Sequence, residues 1–255
     1  MPKIDPIGGK YFAPLARVNL WSDVAFYAAA FLSVVVVLIP KDHYPRSYEN
    51  VQAFFLAATV LGFALGLGGR LYWAPRAQAQ RLSDFLSSAL NVNFTHERTH
   101  QYYNNDEVEP VRKIGMQLLE NSFFSREVSR AMCFAERLLV GGYAFVWLLI
   151  VANRSTPIDL IVAISLVLFS EQLISRVFRL EWLRIQFEET YDVVYGLFQS
   201  NDRGSFFHGG ILAQLVRYEN SKANSGVSTS TNIFERLNGQ LSKQWEEIKN
   251  TIPKR

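Results

Sequence analysis

Apolar and polar residues are segregated along this chain into long blocks. Four apolar runs stand out, over about 18–39, 51–69, 138–152 and 160–174. The first carries one charge, Asp23 near its start, and the second carries none. A bilayer core about 30 Å thick needs roughly 20 apolar residues at 1.5 Å each, and both runs meet that length. Pro40, Pro45 and the charges between them make a short turn, so the pattern predicts a transmembrane hairpin. Runs three and four are shorter, and the fourth contains Glu171 and Gln172. Runs of that size also suit a buried core helix or a re-entrant segment. The short polar linker 153–159, and the continuation of both runs into amphipathic helices, favour spanning.

Helical periodicity governs the segments between the runs. After a kink expected at Pro75, residues 76–90 place Leu82, Phe85, Leu86 and Ala89 on one face. Residues 91–106 read as a polar loop. Glu109-Pro110 opens a short helix with Val111, Ile114, Leu118 and Leu119 together. Ser125 is expected to N-cap another, bearing Val128 and Met132 and running into the third apolar run. Beyond the fourth run come an amphipathic helix over 176–199, a short helix over 211–223 and a Ser/Thr/Gly linker over 224–231. A last helix over 232–250 has Phe234, Leu237, Leu241, Trp245 and Ile248 along one stripe, suited to docking in a groove.

The fold class expected is all-α and integral to a membrane, with two transmembrane helical hairpins and helical cytoplasmic extensions. Its segments are a cytoplasmic start (1–17), hairpin one (18–72), a cytoplasmic helical region (73–136), hairpin two (137–175), amphipathic helices (176–223) and a linker with the C-terminal helix (224–255).

Composition is consistent with this pattern without adding to it. The 255 residues are 49% hydrophobic, and the mean hydropathy of +0.04 averages oily runs with polar segments. A net charge of +3 is too mild to argue for nucleic acid, and no direct DNA binding is expected. Charge position says more. The predicted outer loops hold Lys41, Arg46 and Arg154. The inner flanks hold Lys3, Lys10, Arg17, Arg70, Arg76, Arg81, Arg176, Arg179 and Arg184. Basic residues accumulate on the cytoplasmic side, so both termini and the central region are expected there. Trp21, Tyr72, Trp73 and Trp182 sit at the same flanks, as interfacial aromatics do. Run one lacks a small-residue cleavage site and is expected to remain as an anchor. The single cysteine, Cys133, leaves no internal disulfide framework.

Candidate chemistry is sparse. There is no glycine-rich phosphate loop, serine elbow or paired-cysteine motif, so no enzyme, catalytic residue, cofactor or metal site is expected. Glu171 is the sharpest single residue, an ionisable group near the end of a membrane run. Two readings stand: it faces a bundle interior or water-filled path, or it is an interfacial carboxylate paired with Arg176 or Arg137. Ala58, Gly62 and Gly66 form a small-residue stripe that marks helix–helix packing, within a chain or between chains. Tyr102, Tyr103, Arg112, Lys113, Arg126 and Arg130 are candidates to bind a phosphorylated ligand, by base stacking and arginine–phosphate contacts. The competing reading is a solvated helix face meeting anionic headgroups.

The order hairpin, cytoplasmic helices, hairpin, cytoplasmic tail resembles a known family. So do the exit Tyr72-Trp73-Ala74-Pro75-Arg76-Ala77, the helix ending at Asp84-Phe85, and the tail Ile233-Phe234-Glu235-Arg236-Leu237-Asn238 before Trp245-Glu246-Glu247-Ile248. Together these look like the small four-transmembrane effectors of bacterial anti-phage systems, those of CBASS operons among them. The resemblance implies a multi-pass inner-membrane effector that stays quiet until an infection signal arrives. It would then oligomerise or open and disrupt the membrane. The partners implied are the lipid bilayer, further copies of the chain, and a cyclic oligonucleotide or soluble protein as the signal. The alternative expectation is a membrane sensor or scaffold that recruits a soluble partner through its cytoplasmic helices.

Overall fold

The computed structural model describes residues 5–97, 99, 107–200 and 204–253. Among them every regular element is helical. The α-helices are α1 (Ala13–Leu38), α2 (Pro45–Gly68), α3 (Ala74–Leu90), α4 (Pro110–Ala152), α5 (Ile158–Leu168), α6 (Arg176–Gln199), α7 (Ser205–Ser225) and α8 (Thr231–Thr251). Three π-helical turns, Gly8–Phe12, Gly69–Trp73 and Glu171–Ser175, lead into α1, α3 and α6.

Four helical stretches are long and apolar enough to cross a membrane: Gly8–Leu38, Pro45–Leu90, Pro110–Ala152 and Ile158–Gln199. In the most apolar 18 residues of each, between none and 11% are buried. That observation excludes the buried-core reading of the third and fourth runs. Apolar helices so open suit lipid as their surroundings, because water does not tolerate contiguous apolar patches of this size. The chain thus has the build of a multi-pass membrane protein.

The chain divides into two compact units. An apolar unit comprises residues 12–74 and 135–178, and a polar unit comprises 5–11, 75–134 and 179–253 as described here. Helix α4 contributes to both.

In the apolar unit α1 and α2 pack along each other, joined by a turn in which His43 and Tyr44 donate their N–H groups to the Pro40 carbonyl. Pro45 then opens α2 at a position where its missing N–H costs nothing. A Cβ on Gly62 would lie 3.4 Å from the Ala25 Cβ, and one on Gly66 3.5 Å from Ser22 Oγ. Ser22 in turn donates to the Gly62 carbonyl (3.3 Å). Gly62 and Gly66 of the small-residue stripe therefore lie against α1 of the same chain. α5 is tied to α4 by Trp147, whose indole N–H donates to Ser165 Oγ (2.8 Å) and whose ring meets Phe169 edge-on.

The polar unit has a real core. Phe85, Ile114, Leu118, Phe123, Phe187, Val194, Phe198, Ile211 and Trp245 are buried in one cluster drawn from α3, α4, α6, α7 and α8. Gly115 is a point of close approach, since a Cβ there would meet Phe198 and Ile211 at about 3.0 Å. The α8 stripe faces inward: Leu241 and Trp245 are buried, Trp245 stacks near Phe123 and Phe234 near Phe124. Ser230 caps α8 by accepting the Ile233 N–H, and Gly226, at φ 59°, lets the chain leave α7 in a left-handed conformation.

One local expectation needs correction. Ser125 caps nothing, because residues 110–152 form one uninterrupted helix. No Pro or Gly breaks the middle of α4 at that point, Ser122 Oγ bonds back to the Leu119 carbonyl, and Ser125 Oγ pairs with Tyr218 Oη. The helix continues past Pro75: the π turn Gly69–Trp73 precedes it and carries α2 into α3, and prolines and π turns are both places where helices kink.

The loop after α3 folds back along that helix. Asn91, in a left-handed conformation, ends α3. Asp84, almost wholly buried, accepts the Thr99 N–H (3.0 Å) and hydroxyl (2.7 Å), and Ser87 Oγ accepts the Phe94 N–H. Lys10 pairs with Glu97 and Arg81 with Asp5 (2.7 Å), which fastens the N-terminal segment to α3 and to the loop after it. The Lys10 ammonium holds the Glu97 carboxyl below the usual carboxylate range.

Candidate functional site: a ring of charge in the apolar unit

Charged side chains are costly in an apolar setting unless paired, so their positions in the apolar unit are informative. Five of them gather into two linked-by-chain groups. Arg176, at the start of α6, lies between Asp23 of α1 (Nη1–Oδ1 3.2 Å, Nη1–Oδ2 3.3 Å) and Glu136 of α4 (Nε–Oε1 3.0 Å). Arg70, in the π turn after α2, pairs with Glu171, the first residue of the π turn before α6 (2.5 Å). Three carboxylates thus face two guanidiniums, and each of the four apolar stretches supplies at least one of these groups.

The two groups differ in their access to solvent. Arg176 and Glu136 are 31% and 17% exposed, whereas Arg70 and Glu171 are 44% and 50% exposed. A half-exposed pair contributes little, typically under about 1 kcal/mol. The Arg176 pairings are more sheltered, and their loss leaves two carboxylates unneutralised. Arg176 is therefore the keystone of the group.

The fourth apolar stretch is interrupted beside these charges. α5 has 11 residues and stops at Leu168. Ser170 is extended (φ −71°, ψ 164°), and the π turn Glu171–Ser175 follows. At 1.5 Å per residue α5 alone covers about 16 Å, roughly half a bilayer core. A complete crossing must include the break and the start of α6. Interrupted backbone at membrane depth is tolerated only against protein or a water-filled cavity. Ser170 Oγ is itself buried without a hydrogen-bond partner among the described residues.

Glu171 is thus next to a helix break and pairs with Arg70, while the partners of Arg176 are Asp23 and Glu136. The sequence reading missed Asp23 and Glu136 as partners of Arg176. The signal for Asp23 was present: a lone charge inside an otherwise uncharged run needs a counter-ion.

The residues proposed for a phosphorylated ligand are not brought together. Tyr102 and Tyr103 lie outside the described residues. Arg112 and Lys113 are 13 or more residues from Arg126 on α4, which separates the two pairs by roughly 20 Å along the axis. Arg112 is buried, bonded to Glu107 (2.7 Å) and to the Pro253 carbonyl (2.7 Å), with its guanidinium over the Phe198 ring. Arg126 lies over the rings of Tyr191 (4.3 Å) and Phe123 (5.5 Å) and pairs with Glu127. Arg130 reaches Glu127 and Glu188. Burial raises the Tyr191 hydroxyl above its ordinary range, against the opposing pull of Arg126. An incoming phosphate would have to compete with these partners at Arg112, Arg126 and Arg130.

No protein-family model, no curated protein and no solved structure matches the chain.

Proposed function

We propose that this chain is a bacterial inner-membrane effector of anti-phage defence, which opens a polar path through the bilayer when its polar unit receives a nucleotide or protein signal. Its four apolar stretches form two hairpins, with both termini and the polar unit on the cytoplasmic side. The observation that carries the reading is the two groups of paired charges, on all four apolar stretches, beside the break in the fourth. Paired, the charges hold the four helices together. Unpaired, they cannot remain in lipid and would draw water in. Helix α4 belongs to both units, so a rearrangement in the polar unit has a continuous rod by which to reach Glu136. The resemblance to four-transmembrane defence effectors supports the physiological setting.

The scaffold reading through α8 is less favoured, since Leu241 and Trp245 of the stripe are buried in the chain's own core and Leu237 and Ile248 pack against it.

The test loads cells expressing the chain with a potential-sensitive dye and challenges them with phage. Depolarisation before lysis is the expected result. Cells that arrest with an unchanged membrane potential would overturn the proposal.

A further inference from the structure

The polar unit carries an apolar surface that its own core leaves uncovered. On α6, Ile185, Val193 and Gly196 lie along one exposed stripe. On α7, Phe206, Gly209, Leu212 and Val216 form another. The two helices run antiparallel: Phe198 meets Phe207 (5.5 Å), Leu197 lies against Gly210, and Phe187 meets Tyr218 (5.2 Å). Arg217 bridges back to Gln186 (3.0 Å) and Glu189. The stripes are therefore neighbours on one face.

Phe206 is 69% exposed, Val216 60%, Leu212 45%, Val193 42% and Ile185 41%. Their combined exposed area is on the order of 400–500 Å², matching the largest patch on an ordinary monomer, which is often functional.

We infer that this face is where a second copy of the chain docks, about a two-fold axis passing close to Gly209. Three observations select that occupant. First, the face has its own knobs and hollows. A Cβ on Gly209 or on Gly196 would meet nothing within 4 Å, while the large Phe206 and Leu212 stand three residues to either side of Gly209. A two-fold axis at the glycine lets the helices approach closely and fits each copy's bulky residues around the other's hollow.

Second, the charges suit an identical partner. Glu189 and Arg217 neutralise each other within the face, so that pair brings no like-charge repulsion between identical copies. A lipid surface would instead call for a rim of Lys and Arg, and Asp192 and Glu189 are exposed here. Third, two such faces, fully covered, would bury at most about 900 Å² of apolar surface, just under the roughly 1,000 Å² that marks a specific interface. Confinement to one bilayer raises effective concentration and lets a modest interface suffice. The inference deepens the proposed effector and rests on that reading only for this shared membrane.

The experiment uses the full chain in native membranes, in a Cys133→Ala background that removes the one native thiol. Gly209→Cys is oxidised and the covalent species resolved by size, with Lys243→Cys, exposed on α8, as the collision control. A self-cross-linked dimer at position 209 but not at 243 is expected. Adding Leu212→Glu and Val216→Glu should lower the cross-linked fraction by about tenfold or more, since it would bury unpaired carboxylates in the interface. Both positions are exposed, so helix content by circular dichroism should stay unchanged. No cross-link at 209, an equal yield at 243, or a yield indifferent to the glutamates each overturns the inference. So does a 209 thiol that links to a different protein. No infection signal or potential measurement enters, so failure here leaves the effector reading standing, and the dye experiment can fail without touching this one.

Discussion

Replacing Arg176 with alanine tests whether the charge ring is structural. The substitution leaves Asp23 and Glu136 without the guanidinium that lies 3.0–3.3 Å from each. At an effective dielectric near 20, one such pair at 4 Å interacts by about 4 kcal/mol. The penalty is capped by protonation: keeping an ordinary carboxyl neutral at pH 7 costs about 4 kcal/mol, at 1.36 per pKa unit. Solvent lowers it further. Asp23 is 38% exposed and its share falls toward 1 kcal/mol, while Glu136, at 17%, retains more. The expected loss is about 2–4 kcal/mol, or about 5–10 °C in Tm for a chain of this size. The assay is thermal unfolding of the detergent-solubilised protein, with Arg70→Ala in parallel. That second pair is half-exposed, so its loss should cost under about 1 kcal/mol. If Arg176→Ala and Arg70→Ala prove equally mild, Arg176 is an ordinary surface ion pair and the keystone argument fails.

Two further outcomes follow from packing and burial. Gly62→Leu should force α1 and α2 apart and cost about 1–3 kcal/mol of overpacking, because Ala25 and the Phe26 backbone stand 3.4–3.7 Å from its Cβ position. Gly141→Leu, with nothing within 4 Å, should be near neutral, and comparing their unfolding temperatures checks both. Asp84→Ala removes the acceptor of two Thr99 donors from a buried site, at about 2–4 kcal/mol. Hydrogen exchange should report faster amide exchange at Phe94, Glu97 and Thr99. Glu97 adds a pH signature there: its carboxyl is depressed in the folded chain, so its contribution holds above the unfolded carboxylate range and is lost as pH falls through the folded value.

The apolar helices were legible because lipid-facing runs need length and few charges, and residues 18–39 and 51–69 have both. The tertiary partners were not. Arg70 and Glu171 are a hundred residues apart, as their numbers show, and nothing local couples them. Glu171 and Arg176 looked like natural partners at one-turn spacing, but Arg176 is taken up by Asp23 and Glu136, which lie on other helices and far away in sequence. The arginines of α4 looked like one cluster because sequence proximity hides the 1.5 Å rise that spreads them along a rod. Ser125 shows the limit of cap signals: a serine precedes an apolar run both at helix starts and inside long helices, where its hydroxyl finds a partner such as Tyr218.

The threading of the polar unit also fixes an order of events during synthesis. Its core closes only with Trp245 and Ile252, whereas the last residue of the apolar unit is Phe178. At 5–20 residues per second, translation of the intervening stretch takes about 4–15 s. For that interval each nascent chain exposes all its oily helices while the core of the polar unit is unfinished. A ribosome that stalls before Trp245 would leave the apolar unit complete and the polar core without one of its largest buried side chains.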